Sequence, residues 1–303
     1  MAVRPSEQVI SAAKKQPAAG SIGALIIALR PLDWIKNLFV LAPLLFSGRL
    51  FILATTAKSL LGFIVFCILS SGTYLFNDLI DREEDRHHPA KALRPIASGR
   101  LSVPLARVIT AGLTVSGLAG AFALDSRFGL IALGFILLHL GYSLGLKDRV
   151  IVDVLVIAAG FVLRVLAGSA LVAVAPSAWI VLCTVLLSLF LGFSKRRHEL
   201  VILGDRAIVH RKVLKLYSLA FLDQMIGAVL AATVVCYALY TINNGPYQIY
   251  SVFFVLYGMF RYLYLIHHRG QGGRAAESFF NDPPLLMTVV GWTLFMLWDV
   301  YLQ

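Results

Sequence analysis

The segment that begins at Asn77 carries a dense run of oxygen-bearing side chains. Asn77, Asp81 and Asp85 follow one another at intervals of four residues, and Asp78 lies three residues before Asp81. Positions three and four apart share one face of a helix, so these side chains would project together. Carboxylates suit Mg²⁺, which keeps some waters and takes its remaining ligands from substrate phosphates. We therefore predict a Mg²⁺ site formed by Asn77, Asp78, Asp81 and Asp85, with the three aspartates as catalytic residues.

A solvated cluster of charges at a helix end is the alternative interpretation of this run. Five of the 16 acidic residues of the chain lie between Asp78 and Asp85, inside a segment that is otherwise basic. A solvated helix end does not by itself require so many charges of one sign within one short stretch. The concentration therefore favours the metal site.

Basic residues follow the acidic run directly. Lys91 and Arg94 are three residues apart and can face the same way, and Ser98 and Gly99 come soon after them. Arginine offers phosphate a bidentate contact, lysine offers a point charge, and the hydroxyl and glycine N–H add further donors. Such a pair alone is more often a sign of membrane topology than of a ligand site. Beside the acidic run, it predicts that Lys91 and Arg94 bind an anion.

A second polar segment begins at Tyr142 and also contains Lys147, Asp148 and Asp153. A charge inside an apolar span costs about 2.5–3.5 kcal/mol on insertion scales, so Asp153 needs a partner or a wet cavity, and we predict that it faces a cavity. Arg164 lies about 16 Å further along the same helix, too far to pair with Asp153. Two roles stay open for Arg164, namely a contact to the cavity and a hydrogen bond to backbone carbonyls.

Two further basic segments begin at Lys195–Arg196 and at Arg261. Such segments could clamp a phosphorylated ligand or anchor helix ends to anionic lipid, and for Lys195 and Arg196 we favour the ligand. The seven histidines form no pair at ligand spacing beyond two adjacent pairs, which cannot converge on one ion from a helix. The three cysteines lie separately within apolar stretches. We therefore expect no metal bound by histidine or cysteine.

These side chains must be positioned by a largely apolar chain. Of its 303 residues, 59% are hydrophobic and 14% are charged, and the mean hydropathy is +0.81. Soluble domains are about half apolar and about a quarter charged, so an ordinary soluble protein is excluded. The basic residues that give the net charge of +11 lie between the apolar runs, as the positive-inside rule predicts. We therefore expect no nucleic-acid partner. The composition predicts an all-α integral membrane protein.

Nine apolar runs predict nine transmembrane helices. Their predicted ranges are 34–53, 58–76, 103–123, 128–143, 151–171, 178–193, 219–240, 249–267 and 285–302. We predict one membrane domain over residues 1–303. Its parts are a polar cytoplasmic tail at 1–20, a helix on the membrane surface at 21–33, which is too short to span, and the nine-helix bundle at 34–303.

The distribution of basic residues predicts the orientation of the bundle. Of the 27 Lys and Arg residues, 22 fall on the side of the N-terminus and three fall in the connections on the opposite side. The excess marks the cytoplasmic side. We therefore expect a multi-pass protein of the bacterial inner membrane, with its N-terminus and its chemistry on the cytoplasmic side.

The motif Asn-Asp-x-x-Asp-x-x-x-Asp at 77–85, the motif Tyr-Ser-x-x-Leu-Lys at 142–147 and the nine-span pattern resemble the UbiA superfamily of intramembrane prenyltransferases. The resemblance extends from Arg30-Pro31 to the last predicted helix. The segments at 88–99, 195–200 and 261–265 look most like its branch of polyprenyl-phosphate (decaprenyl-phosphate) phosphoribosyltransferases, which includes an enzyme of mycobacterial cell-wall arabinan synthesis.

This resemblance implies transfer of the 5-phosphoribosyl group of phosphoribosyl diphosphate to a polyprenyl phosphate, with release of diphosphate. The acidic motif would hold Mg²⁺ on the leaving diphosphate. The resemblance places around the donor the residues Lys91, Arg94, Tyr142 and Lys147, with Lys36, Lys195 and Arg196 as further ligands. It leaves open whether the chain forms a homo-oligomer.

One departure from the superfamily pattern concerns the second acidic motif. Aromatic prenyltransferases usually carry Asp-x-x-x-Asp, whereas Asp148 and Asp153 are five apart, about 140° from a common helix face. This spacing favours a donor with a separate 5-phosphate over the alternative, a UbiA-type aromatic prenyltransferase that uses a prenyl diphosphate. A transporter with Asp153 and Arg164 as relay charges is a further alternative. The acids crowd one face and no internal repeat is visible, which argues against a transporter.

Overall fold

The computed structural model of the chain describes residues 21–87, 91–203, 212–268 and 275–302. Within these ranges the chain forms α-helices and short 3₁₀ helices and no β-strand, which confirms the all-α fold class. The predicted cytoplasmic tail at 1–20 lies outside the described residues, as do residues 88–90 of the basic segment after the acidic run.

The described α-helices follow one another as α1 (Ser21–Leu29), α2 (Ala42–Phe46), α3 (Leu53–Ile80), α4 (Arg82–Arg86), α5 (Val103–Leu124), α6 (Ser126–Leu144), α7 (Val152–Val172), α8 (Ala178–Leu203), α9 (Leu219–Asn244), α10 (Val252–His268), α11 (Ala275–Asn281) and α12 (Pro283–Leu302). The 3₁₀ helices are Pro31–Val40, Lys91–Leu93, Leu146–Asp148, Lys212–Leu216 and Gln248–Ser251.

Eight helices in the described part of the chain are long and apolar enough to cross a membrane. They are α3, α5, α6, α7, α8, α9, α12, and α10 together with the 3₁₀ helix before it. Large apolar side chains on their outer faces are exposed, for example Val115, Leu130 and Phe253. Exposed apolar surface of this extent suits contact with lipid tails, so the chain is a multi-pass membrane protein.

The first predicted span, at 34–53, is corrected by the structure. It is a 3₁₀ helix over Pro31–Val40 followed by the five-residue helix α2, and α3 begins only at Leu53. Pro43 lies in the first turn of α2, where a proline is tolerated but cannot continue a preceding α-helix. The segment packs closely on α7, because a Cβ added at Gly168 would lie 2.0 Å from the carbonyl oxygen of Val40.

The core of the bundle lies in three apolar clusters. One is centred on α3, α6 and α7, with Phe66, Phe128 and Phe135 fully buried. The second joins α8, α9 and α10 and contains Phe190 and Tyr262. The third packs Leu75, near the C-terminal end of α3, against Ile96 and Leu101. The end of α3 that carries the acidic motif is therefore held by its neighbours.

Arg164 lies buried within this bundle. Its Nε donates to Oδ1 of Asn37 at 2.8 Å, and its Nη1 donates to the carbonyl oxygen of Gly160 at 2.9 Å. Its guanidinium also lies 4.6 Å from the centroid of the Phe135 ring. Of the two roles left open for Arg164, the structure supports the hydrogen bond to a backbone carbonyl. The separate bond to Asn37 joins α7 to the 3₁₀ helix Pro31–Val40.

Candidate active site

The acidic motif keeps helical geometry although α3 ends at Ile80. The N–H of Asp81 donates to the carbonyl oxygen of Asn77 at 2.9 Å, and that of Asp85 donates to the carbonyl oxygen of Asp81 at 2.8 Å. These are the i to i−4 bonds of an α-helix, so they continue through the interruption between α3 and α4. The side chain of Asn77 also donates to Oδ2 of Asp81 at 2.9 Å. The predicted helical relationship of these positions is therefore present.

Two of the aspartates are buried and share one arginine. Nη1 of Arg94 lies 2.9 Å from Oδ1 of Asp78 and 2.6 Å from Oδ2 of Asp85. Each aspartate is 2% exposed. Carboxylates at this depth are costly unless cations and hydrogen bonds compensate them. Arg94 therefore joins the acidic run to the basic segment that follows it.

Arg30 adds a second guanidinium to Asp78. Its Nη2 lies 2.6 Å from Oδ1 of Asp78, and its guanidinium lies 5.1 Å from the centroid of the Tyr74 ring. Burial lowers the pKa of Arg30, but the carboxylate of Asp78 overrides this effect, so the pKa is raised above its ordinary value. Arg30 stays fully charged, and it belongs to the acidic cluster although the sequence motifs did not assign it there.

Asp81 is contacted from a third segment. Nζ of Lys147, in the 3₁₀ helix Leu146–Asp148, forms an ion pair with Oδ1 of Asp81. Ser143, near the end of α6, donates to Oδ1 of Asn77 at 3.1 Å. The structure thus brings Lys147 to the acidic cluster from 66 residues away in the sequence.

Lys91 lies at the edge of the cluster. Its Nζ is 3.9 Å from Oδ1 of Asp85. Burial raises the pKa of Asp85, with Asp78 acting in the same direction, whereas Arg94 and Lys91 oppose the shift. The net direction is upward. Burial of this carboxylate thus outweighs the attraction of the two cations beside it.

Lys36 lies beside the cluster and pairs with a different acid. Its Nζ is 2.6 Å from Oδ1 of Asp33 and 5.7 Å from the centroid of the Tyr74 ring. Tyr74 is also the ring beneath Arg30. Tyr74 lies one helical turn before Asp78, and its ring is in contact with both Lys36 and Arg30. Lys36 is therefore adjacent to the cluster.

Arg196 lies apart from the acidic run. It is fully buried, and its contacts are Oδ2 of Asp153 at 2.6 Å, Oε2 of Glu199 at 2.5 Å and the hydroxyl of Tyr142 at 3.5 Å. The prediction that Asp153 faces a cavity is wrong, because Asp153 is fully buried and paired. Arg196 therefore reaches Tyr142 and Asp153. Lys195 is half-buried beside it on α8.

The comparisons with known proteins agree with this architecture. The sequence profile of the UbiA prenyltransferase family matches residues 38–288. The chain belongs to this family. It is therefore an enzyme of the UbiA prenyltransferase family, embedded in a membrane by several spans.

Two curated relatives cover most of the UbiA-family chain. The decaprenyl-phosphate phosphoribosyltransferase of Mycobacterium tuberculosis is 33% identical over 247 residues, which is 80% of each chain. The decaprenyl-phosphate phosphoribosyltransferase of Corynebacterium glutamicum is 33% identical over 302 residues, which is 96% of this chain and 90% of the relative. A solved UbiA homologue of Archaeoglobus fulgidus, bound to GPP and Mg²⁺, has the same fold, with a TM-score of 0.72, 19% identity, and coverage of 92% of this chain and all of that one.

The described part of this UbiA-family chain contains no group of three acidic, histidine or cysteine side chains placed to hold a metal ion. The physical reason lies in the ion pairs, because Arg94 stands between Asp78 and Asp85 and Lys147 holds Asp81. The four predicted ligand residues nevertheless suit Mg²⁺, since they offer carboxylate and amide oxygens. Two of them, Asp78 and Asp85, are buried.

Arg30 and Ser143 are the site residues that the motifs did not assign. Arg30 stands directly before Pro31, and Ser143 stands within the Tyr-Ser-x-x-Leu-Lys motif. Both were therefore visible in the sequence as parts of the family resemblance. Their contacts with Asp78 and Asn77 depend on helices that are distant in sequence and adjacent in the fold.

Proposed function

We propose that the enzyme transfers the 5-phosphoribosyl group of phosphoribosyl diphosphate to a polyprenyl phosphate and releases diphosphate. The bond that forms joins an oxygen of the lipid phosphate to C1 of the ribose, and the bond that breaks joins C1 to the diphosphate. The relatives named decaprenyl-phosphate phosphoribosyltransferase support this reaction. We further propose that it occurs at the cytoplasmic face of the bacterial inner membrane and supplies a precursor for cell-wall arabinan.

One observation carries this proposal, namely the charge arrangement of the acidic cluster. Three aspartates lie among four cations that come from three separate segments, namely Arg30, Lys91 with Arg94, and Lys147. Such a mixture suits a substrate that brings several phosphates and a divalent cation together. A donor with both a diphosphate and a 5-phosphate has this character.

The residues that would hold Mg²⁺ are Asn77, Asp78, Asp81 and Asp85. When bound, the ion supplies positive charge against the diphosphate as it leaves. The protein's own cations act in the same direction, because Arg94 offers a planar fork of donors and Lys147 a compact point charge beside the aspartates. Before the donor binds, the ion pairs keep the buried carboxylates compensated.

Orientation of the two substrates is the main task left to this chain. The lipid phosphate is already anionic, so its attack on C1 requires no general base. Burial of Asp78 and Asp85 excludes water from one side of the cluster and strengthens electrostatic contacts there. Holding both reactants beside one another supplies a large part of the rate enhancement in such displacements.

An aromatic prenyltransferase is the second candidate. It is favoured by the solved Archaeoglobus fulgidus homologue bound to GPP, a prenyl diphosphate, which shares the fold. The acidic cluster would then hold the diphosphate of a prenyl donor, and an aromatic ring would attack the prenyl carbon. Lys91 and Arg94 have no separate 5-phosphate to bind in that reaction, so the first candidate uses more of the site.

The deciding experiment uses the purified full-length protein in detergent or nanodiscs. Radiolabelled phosphoribosyl diphosphate and a polyprenyl phosphate are supplied with Mg²⁺ or with EDTA. Label in the lipid phase only with Mg²⁺ is the expected result. Absence of label, together with prenylation of an aromatic acid from a prenyl diphosphate, would overturn the phosphoribosyl proposal in favour of the second candidate.

A further inference from the structure

The backbone is strained immediately before α7. Ile151 has φ 67° and ψ −44°, and the N–H of Val152 donates to the carbonyl oxygen of Val150 at 2.7 Å. This bond closes a γ-turn around Ile151. A positive φ is strongly disfavoured for a β-branched residue, so such a turn persists only where its surroundings hold it.

The hydroxyl of Tyr217 holds this turn. The N–H of Ile151 donates to it at 2.7 Å, and the hydroxyl donates in turn to Oδ1 of Asp153 at 2.8 Å. The second oxygen of Asp153 accepts from Arg196. Burial raises the pKa of Tyr217, so the hydroxyl stays protonated and remains a donor at neutral pH. The turn is therefore tied to the buried ion pair between α7 and α8.

The strained turn is also connected to the acidic cluster. Lys147, which pairs with Asp81, stands four residues before Ile151. Between them, the N–H of Arg149 donates to the carbonyl oxygen of Leu146 at 3.3 Å, and the carbonyl oxygen of Arg149 accepts the N–H of Asp153 at 3.0 Å. These bonds restrict the backbone of residues 147–151. The conformation of Ile151 is therefore coupled to the position of Lys147 through only three intervening residues.

We propose that Tyr217 is a positioning residue for Lys147. The hydroxyl of Tyr217 keeps Ile151 in its strained conformation and thereby presents Lys147 to Asp81. Its loss lets Ile151 relax to a negative φ and moves the segment that carries Lys147. The expected effect on donor binding rests on the proposed function, in which Lys147 contacts the donor. The expected effect on the position of Lys147 does not depend on that function.

A matched control exists in the same apolar cluster. Tyr262 is 5% exposed, as Tyr217 is, but the hydroxyl of Tyr262 has no hydrogen-bond partner among the described residues. Both Tyr217→Phe and Tyr262→Phe remove one buried hydroxyl oxygen. Only Tyr217→Phe removes an anchor of the turn.

The first measurement is the rate at which N-hydroxysuccinimide acetate acetylates Lys147 in the substrate-free protein, followed by peptide mass spectrometry. Lys58, whose side chain is 35% exposed and lies at the other end of the bundle, serves as the internal reference. The side chain of Lys147 is only 13% exposed. We expect Tyr217→Phe to raise the acetylation rate of Lys147, relative to that of Lys58, about fivefold or more, because it removes a hydrogen bond to a charged group. Tyr262→Phe should leave this ratio of rates unchanged. Equal rates in wild type and Tyr217→Phe would overturn the proposal.

The second measurement separates positioning from general destabilisation. Tyr217→Phe should raise the KM for phosphoribosyl diphosphate about five- to tenfold and leave the KM for the polyprenyl phosphate unchanged. In a Lys147→Ala background the same substitution should change the donor KM by less than about twofold, because the two residues act through one contact. A full effect in that background would contradict the proposal.

Two provisions keep these tests decisive. If Tyr217→Phe alone does not fold, the acetylation comparison is repeated between Ile151→Gly and Ile151→Gly/Tyr217→Phe, since glycine adopts a positive φ without strain. Because glycine removes the strain that the hydroxyl opposes, equal acetylation in the two variants supports the proposal, and faster acetylation in the double variant overturns it. If the wild-type protein does not use phosphoribosyl diphosphate, the proposed function fails, and acetylation, which needs no substrate, still decides the role of Tyr217.

Discussion

Nη1 of Arg94 donates to Oδ2 of Asp85, nine positions earlier in the chain, at 2.6 Å. Asp85 is 2% exposed, so this arginine compensates a carboxylate that water hardly reaches. The acidic run and the basic segment after it are therefore parts of one site. A substitution in either segment is expected to affect both.

Arg94→Ala should impair folding and activity together. It leaves Asp85 without its nearest cation and removes one of two arginines from Asp78. Breaking a buried ion pair costs about 3–5 kcal/mol, so the midpoint of thermal unfolding should fall clearly. Arg107→Ala is the control, because Arg107 is exposed on α5 and makes no ion pair among the described residues. Equal unfolding midpoints for the two variants would show that the bridge contributes little.

Asp81→Asn should abolish Mg²⁺-dependent turnover and leave insertion and folding intact. Asp81 lies just beyond the C-terminal end of α3 and keeps its backbone hydrogen bonds whatever its side chain. The amide loses the negative charge that Mg²⁺ requires. Glu84→Gln is the matched control, since Glu84 is an exposed acid in the same segment. Turnover is measured against Mg²⁺ concentration, and retention of wild-type Mg²⁺ dependence in Asp81→Asn would remove Asp81 from the metal site.

Lys91→Ala should weaken the binding of a donor that carries a 5-phosphate. Its Nζ lies 3.9 Å from Asp85, at the edge of the cluster, where a separate phosphate would meet it. Loss of one charge-assisted contact corresponds to about tenfold in KM. The test compares the KM for phosphoribosyl diphosphate with that for an analogue that lacks the 5-phosphate. Equal losses on both donors would assign Lys91 a structural role.

Gly168→Ala should destabilise the bundle. Its Cβ would lie 2.0 Å from the carbonyl oxygen of Val40, and a backbone atom cannot move aside as a side chain can. Overpacking of this kind costs about 1–3 kcal/mol or more. Gly134→Ala, where a Cβ meets nothing within 4 Å, is the control and should leave the unfolding midpoint unchanged or slightly raised. Tolerance of both substitutions would contradict the close approach of the 3₁₀ helix to α7.

The acidic motif was predictable because its members are local. Asn77, Asp81 and Asp85 are related by helical spacing, and the backbone hydrogen bonds between them need no other part of the chain. The apolar runs likewise predicted the membrane bundle, since length and hydropathy suffice for that inference. The segment at 34–53 was the exception, because hydropathy does not register Pro43 or the close packing on Gly168.

The partners of each charge were not predictable. Asp153 was expected to face a cavity, and it instead forms a buried pair with Arg196, 43 residues away. Arg196 was expected at the donor, and its contacts are with Asp153, Glu199 and Tyr142. Sequence spacing identifies side chains on one helix face, but it does not say which face of another helix will meet them.

The sequence by itself therefore determined the class of protein and the acidic motif, since hydropathy and helical spacing are properties of short stretches, and its motifs resembled those of the family. The tertiary structure alone decided which cations compensate which carboxylates, because the energy of a buried charge depends on neighbours that only helix packing brings near. Lys147 illustrates both parts. Its motif was visible at 142–147, and its contact with Asp81 exists only because α3 and the segment after α6 meet at one end of the bundle.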